Sequence, residues 1–315
     1  MNDLEGILNR IKSMEHNGVP GVVLIQGNEP GPVLGITACT HGNEPSGLAV
    51  FQYLLDEFKL RQKLLKGSVY LVLNNIKAAE NNFKASTTEE RVRARFVDVN
   101  MNRLPDDLLK NNSHSSYEVL RTKELLPIFQ EFEFGLDIHS TTQDSDPMII
   151  NLNGSLRTDL VRGFPIQLVI SNIDTVQIGK PVSSFYGATT NPASVLVIES
   201  GTHESPRSFK IAIDSTLALL QNLNMIEPVK EVTTHEHVEY YIDDSLIFPN
   251  KTFTLNKPLK NFEYLPAQTL IASGDTGPVF TPFDCHVVFC PQGVIPNSYD
   301  EEVLFYSRPV KSFSL

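Results

Sequence analysis

His41-Gly42-Asn43-Glu44 follows directly on the apolar run 32–40. A His and a Glu three positions apart can meet across a tight turn or a first helical turn. Imidazole nitrogen plus carboxylate oxygen is an ordinary zinc ligand set, and a His₂Glu set leaves one coordination position open, as catalytic sites do. On its own the pair also describes a surface turn with ordinary polar contacts.

Three further clusters could complete such a centre. His139 ends the apolar run that starts at 134, inside Asp137-Ile138-His139-Ser140-Thr141, and could supply a third ligand. Asp137 and Ser140 are candidates to orient it. Glu199 closes the run Val197-Ile198-Glu199. A carboxylate ending a buried run is costly unless it is paired or functional. Beside a metal-activated water it could act as general base and then acid. A helix cap or a salt bridge is the structural alternative. The last cluster spans 95–103 and holds Arg95, Asn102 and Arg103. Arginine stays charged and forks onto carboxylates, so two of them beside an Asn suggest an anion pocket.

These residues need strand ends to hold them. The runs 21–27, 32–40, 68–74, 134–141, 148–153, 166–171 and 194–200 read as strands, several of them apolar enough to be buried on both faces. Helical spacing appears near Leu4, Leu8 and Ile11, and over 46–60, 116–131 and 206–223. The alternation predicts an α/β fold with a mixed central sheet flanked by helices. Ligand sites in such sheets form at strand ends. Segment 75–113 is polar and reads as an unusually long loop, which suggests function. After Glu227-Pro228 the pattern changes to short alternating strands. We therefore expect a catalytic domain over 1–228 and a smaller, mostly antiparallel β domain over 229–315.

Composition narrows the partners. With 41% hydrophobic and 20% charged residues, the 315-residue chain can build a sizeable core. Its 37 Asp+Glu against 26 Lys+Arg give a net charge of −11, which disfavours nucleic acid and anionic membranes. Three cysteines, Cys39, Cys285 and Cys290, form no CxxC pair and argue against a disulfide framework. The start of the chain shows no apolar signal region, and no stretch approaches 18 uncharged apolar residues. A cytoplasmic protein is expected.

Taken together and in this order, Cys39-Thr40-His41-Gly42-Asn43-Glu44, the stretch from Arg95 to Asn102-Arg103, Asp137-Ile138-His139-Ser140-Thr141 and Glu199 resemble the zinc-dependent succinylglutamate desuccinylase/aspartoacylase family. That family is a branch of the carboxypeptidase-A-like metallohydrolases. The resemblance covers about 35–205, and the β-rich C-terminal region is of the kind the family carries.

It implies a zinc-carboxypeptidase-like fold and one Zn²⁺ per chain, bound by His41, Glu44 and His139. Glu199 would be the general base and proton shuttle, and Arg95 would polarise the scissile carbonyl. Asn102 and Arg103 would hold a substrate carboxylate. The implied partner is a small anionic N-acyl substrate, with a homo-oligomer left open and no nucleic acid or membrane. The implied reaction is hydrolysis of an amide bond. A metallocarboxypeptidase acting on short or cell-wall peptides would use the same ligands, and a non-catalytic binding module on the same scaffold is the third reading. The chain departs from the family pattern at Asn74-Asn75, where Asn-Pro is usual, and at Asn100, where an Asp is usual. The second change removes a negative charge near the anion pocket.

Weaker candidates remain. His235 and His237 would share one face of a strand. Cys39 could offer a thiolate but reads better as a buried strand residue. His203 and Glu204 could line a pocket mouth.

Overall fold

Asp3 opens the first helix, α1 (Leu4–Lys12), by accepting from Gly6 N, and Ile7, Leu8 and Ile11 bury one face of it. The computed structural model describes residues 3–105, 107–108, 110, 113–152, 156–187, 194–229, 236–291, 293–295 and 301–314. After α1 come β1 (Glu15–His16), β2 (Val19–Pro20), β3 (Val22–Gln26), β4 (Glu29–Ala38), α2 (Ser46–Gln52), α3 (Leu60–Lys63) and β5 (Lys66–Leu73). Next are α4 (Ile76–Lys84), α5 (Thr88–Arg93), α6 (Tyr117–Phe129), β6 (Phe134–Thr141), β7 (Met148–Asn151), α7 (Thr158–Val161) and β8 (Leu168–Ser171). Then follow α8 (Ile173–Val176), β9 (Val195–Thr202) and α9 (Pro206–Asn222). The last strands are β10 (Glu236–Leu246), β11 (Thr254–Leu255), β12 (Glu263–Leu265), β13 (Leu270–Gly274), β14 (Gly277–Phe280), β15 (Cys285–Val288) and β16 (Leu304–Ser314).

One sheet organises the chain, in the order β12-β15-β16-β10-β8-β7-β9-β6-β4-β5-β3. Its centre, β5-β4-β6-β9, is parallel. The antiparallel pairs β3–β5 and β7–β9 make it mixed, as expected. Helices cover both faces. On one, α1, α2 and α9 pack Leu8, Phe51 and Leu220 against Ile36, Ile138 and Ile198. On the other, α6 packs Val119, Leu125 and Phe129 beside Val72, Phe132 and Tyr186.

Strand alternation then decides where the chemistry goes. Leu136, Ile138, Leu196 and Ile198 enter the first apolar cluster. With a side-chain period of two, Asp137, His139 and Glu199 must face the other way. That face of β6 and β9 carries the site.

Two findings differ from the sequence reading. Segment 75–113 is not a bare loop, because α4 and α5 lie within it. Asn75 caps α4 by accepting from Ala78 N, and Thr87 with Glu90 forms a capping box on α5. α4 buries Ile76, Ala78 and Ala79 on one face, an amphipathic pattern that the polar composition of 75–113 masked. The second finding concerns the C-terminal strands. β10 pairs in parallel with β8, so the large sheet runs across the expected 228/229 boundary. The residues beyond that boundary also build an apolar cluster of their own, around Phe253, Leu255, Ile271 and Val287. No helix among the described residues is long and apolar enough to cross a membrane.

Candidate metal centre

The centre begins where β4 ends. Cys39 takes a left-handed φ of +57°, and the chain turns sharply through His41 and Gly42. Gly42 N donates to Arg95 O at 2.9 Å. A Cβ at Gly42 would stand 2.2 Å from the Ala78 carbonyl carbon and 2.3 Å from Ala94 O, so only glycine fits this passage. The tight contact presses the loop bearing Arg95 against the His41–Glu44 turn.

A second residue holds that loop, and sequence reasoning missed it. Glu118, fully buried on α6, accepts from Val97 N (2.6 Å), Asp98 N (3.1 Å), Val99 N (3.1 Å) and Asn75 Nδ2 (2.9 Å). Three backbone donors and one amide meet one carboxylate, which fixes the stretch leading to Asn100 and Arg103. Glu118 is one of several charged residues on α6, and an acidic residue in a first helical turn is ordinary, so no local signal marked it.

The structure brings His41, Glu44 and His139 together. All three are buried, and their ligand-type atoms lie within 4.8 Å of one another. Glu44 bridges the histidines: Oε1 is 2.7 Å from His41 Nδ1, and Oε2 is 2.7 Å from His139 Nδ1. The far nitrogens are anchored. His41 Nε2 donates to Asn100 Oδ1 at 2.9 Å, and His139 Nε2 donates to Asp137 Oδ2 at 3.1 Å. Asp137 is held in turn by Thr37 Oγ1 at 2.7 Å and Thr40 Oγ1 at 2.9 Å. Each ring thus aims Nδ1 at the same point. Tetrahedral bonds of about 2.0–2.1 Å set donors roughly 3.3 Å apart, which falls inside the 4.8 Å that spans these atoms. The donor set fits a divalent metal such as zinc.

Charges reinforce the arrangement. Burial pushes the Glu44 carboxyl up, but His41 and His139 outweigh it and hold it well below the usual carboxylate range. Burial opposes charge on His139, yet Asp137 and Glu44 raise it well above an ordinary histidine. Burial and Arg95 lower His41.

Glu199 sits level with His139 on the neighbouring parallel strand. Its Oε2 is sealed from solvent and has no hydrogen-bond partner among the described residues. Burial and the nearby Glu44 carboxylate push its carboxyl up to about 8. The helix-cap and salt-bridge alternatives therefore find no support in its described contacts.

Arg95 Nη1 donates to Glu44 Oε1 at 2.9 Å and is about a quarter exposed, at 27%. Asn102 Nδ2 is 3.5 Å from His139 Nε2. Arg103 lies on the wall of the same cavity but is already engaged: Nε and Nη2 reach Glu302 Oε2 at 2.8 Å, and Nη1 donates to Asn102 O at 2.9 Å. Asn100 does not face the arginines. Its Oδ1 serves His41, and its Nδ2 donates to Glu301 at 3.0 Å. The acceptor that an Asp would offer His41 is kept without the charge.

A cavity of about 430 Å³ opens over the centre and is lined by His41, Glu44, Arg95, His139 and Glu199 together with Arg103. His203 is not on its wall; it is half-buried between Ser140 Oγ (2.8 Å) and Thr142 Oγ1 (3.3 Å), and desolvation lowers it to about 4. Glu204 pairs with Arg91 instead. Cys39 is buried, and burial pushes its thiol up, against a thiolate ligand. Of the His235–His237 pair, His235 lies outside the described residues.

Known proteins share this frame. Succinylglutamate desuccinylase from Chromobacterium violaceum superposes with a TM-score of 0.68 at 17% identity, covering 97% of this chain and 98% of that one. The Vibrio parahaemolyticus succinylglutamate desuccinylase gives 0.65 at 14% identity, covering 92% and 86%. Murine aminoacylase 3 gives 0.60 at 20% identity, covering 91% and 98%. At such identities these likenesses show the fold. No curated protein matches the chain. The model of the succinylglutamate desuccinylase/aspartoacylase catalytic domain matches residues 30–189, which is half the sequence and takes in the turn after β4, the arginine loop and His139. The chain therefore belongs to the succinylglutamate desuccinylase/aspartoacylase family.

Proposed function

We propose that the protein is a zinc-dependent hydrolase that cleaves the amide bond of a small N-acyl amino acid or a related carboxylate-bearing substrate. His41, Glu44 and His139 would hold one Zn²⁺ per chain. When bound, such an ion supplies Lewis acidity: it polarises a carbonyl and makes water acidic near neutral pH. The remaining work falls to side chains. Glu199 takes the proton of the attacking water and returns it to the leaving amine. Arg95, beside Glu44, polarises the scissile carbonyl. Asn102 and the spare donors of Arg103 hold the substrate carboxylate.

The observation that carries this reading is Glu199. An unpartnered carboxylate oxygen, level with His139 and carried by a group lifted to about 8, suits a residue that must both take and give a proton near neutrality. The cavity of about 430 Å³ supports a small substrate over a polypeptide.

The test is a hydrolysis screen over N-acyl amino acids and short peptides with zinc supplied, run beside His41→Ala. The wild type is expected to bind one zinc and to turn over members of the first group. His41→Ala is expected to lose both zinc and turnover while keeping its fold. Stoichiometric zinc and full activity in His41→Ala would sink the proposal.

A further inference from the structure

The cavity over the metal-type centre is unevenly furnished. Three arginines line it, and each already holds a carboxylate of the chain. Arg95 donates to Glu44 (2.9 Å), Arg93 to Glu89 (2.6 Å) and Arg103 to Glu302 (2.8 Å). The Glu302 side chain is wholly buried and also accepts from Ile178 N. Beside it, Glu301 lines the same cavity and holds Asn100. Part of the remaining wall is apolar, with Ile150, Ile173, Phe289 and Phe305, and part is polar, with Gln143, Asp174 and Asn261.

Arg93 is largely exposed and Arg95 is placed to polarise the scissile carbonyl, so Arg103 is the guanidinium left to receive a substrate carboxylate inside the cavity. A guanidinium offers five N–H donors. Three of those on Arg103 are taken by Glu302 and Asn102 O, which leaves one on each terminal nitrogen among the described contacts. Two donors can receive one carboxylate. A second carboxylate would lose its hydration against aliphatic and aromatic side chains, close to the charges of Glu301 and Glu302. Burying a charge without a partner is strongly unfavourable.

We infer that the substrate is a mono-anionic N-acyl amino acid whose second substituent, acyl chain or side chain, is apolar, and that Glu302 enforces this selection. The inference rests on the amide-hydrolase reading and sharpens it. Glu302 neutralises Arg103 from within, so the arginine can orient a substrate carboxylate but has no excess charge to draw in a dianion.

The test uses two matched pairs on the zinc-loaded full chain. N-acetylleucine is set against N-acetylaspartate, whose side chain has the same number of heavy atoms. N-(4-methylpentanoyl)glycine is set against N-succinylglycine. The apolar member is expected to have the higher kcat/KM, by at least about 30-fold in one pair, since mismatched polar groups in a desolvated pocket discriminate on that scale. Ratios within about three-fold of unity in both pairs, or a preference for either dianion, overturn the inference. Glu302→Gln keeps an acceptor for Ile178 N but frees the charge of Arg103, and is expected to shrink the larger ratio by about ten-fold. An unchanged ratio overturns the part given to Glu302. If no N-acyl amino acid is hydrolysed at all, the hydrolase reading fails, but the wall is still tested by calorimetry with free leucine and free aspartate. Tighter leucine supports the apolar wall, and equal or tighter aspartate overturns it.

Discussion

His139 and Glu199 stand in register on adjacent parallel strands, so a candidate metal ligand and a candidate proton carrier share one rung of the sheet. The pairing fixes their separation by backbone geometry and not by side-chain packing. Glu199 is therefore held close to the centre without being one of its three ligand-type residues. Glu199→Gln should keep zinc in place and leave substrate Kd nearly unchanged. Its kcat should fall by about 10²–10⁴-fold or more, the usual range for a lost general acid–base group. Zinc content, Kd and kcat measured on this one variant decide the matter, and a near-normal kcat would remove Glu199 from the mechanism.

Metal uptake should release protons. Without a metal, Asp137 and Glu44 favour the protonated form of His139. Its Nδ1 proton points at Glu44, where a cation would sit. A ligating imidazole must give that proton up, so zinc should bind more tightly as pH rises through neutrality and more weakly as it falls. Calorimetry in two buffers of different ionisation enthalpy reads the release directly. Binding that is flat between pH 6 and pH 8 would contradict it.

The residue behind His139 should matter nearly as much as the ligand. Asp137 accepts from His139 Nε2 and is itself braced by Thr37 and Thr40. Asp137→Asn weakens that acceptor and misaligns the ring, which should lower zinc affinity by about 10–100-fold with little loss of secondary structure. Competition with a chromophoric chelator measures the change. An unaltered affinity would mean that the strand alone orients His139.

Much of this centre was legible in the sequence because its ligands follow or end apolar runs. β4, β6 and β9 are buried on both faces, and a polar residue there stands out. The partners of Arg103 and Asn100 were not legible. Glu302 is 199 residues from Arg103, and Glu301 is 201 from Asn100. No local pattern announces a contact that the sheet creates by carrying β10 and β16 alongside β8. α4 escaped notice for a different reason: its amphipathic face is short and sits in a stretch whose polar composition reads as loop.

Arg103 should prove structural as well as functional. Arg103→Ala strands the buried Glu302 carboxylate, and breaking one side of a buried pair costs about 3–5 kcal/mol. Chemical denaturation should show that loss together with a raised KM for carboxylate substrates. Adding Glu302→Gln should recover a large part of the stability but not the KM. Equal recovery of both would assign Arg103 to the fold alone.

The cavity has two builders. The turn after β4 supplies His41 and Glu44, and β6 and β9 supply His139 and Glu199, all at the parallel heart of the sheet. Phe289, Glu301, Glu302 and Phe305, which shape much of the remaining wall, arrive with the C-terminal strands. The candidate ligands and much of the outer wall thus come from separate stretches of one chain. On the proposed hydrolase reading, substitutions in the last fifth of the sequence would redraw the wall that meets the substrate while leaving His41, Glu44, His139 and Glu199 untouched, so one scaffold could change its diet without changing its chemistry.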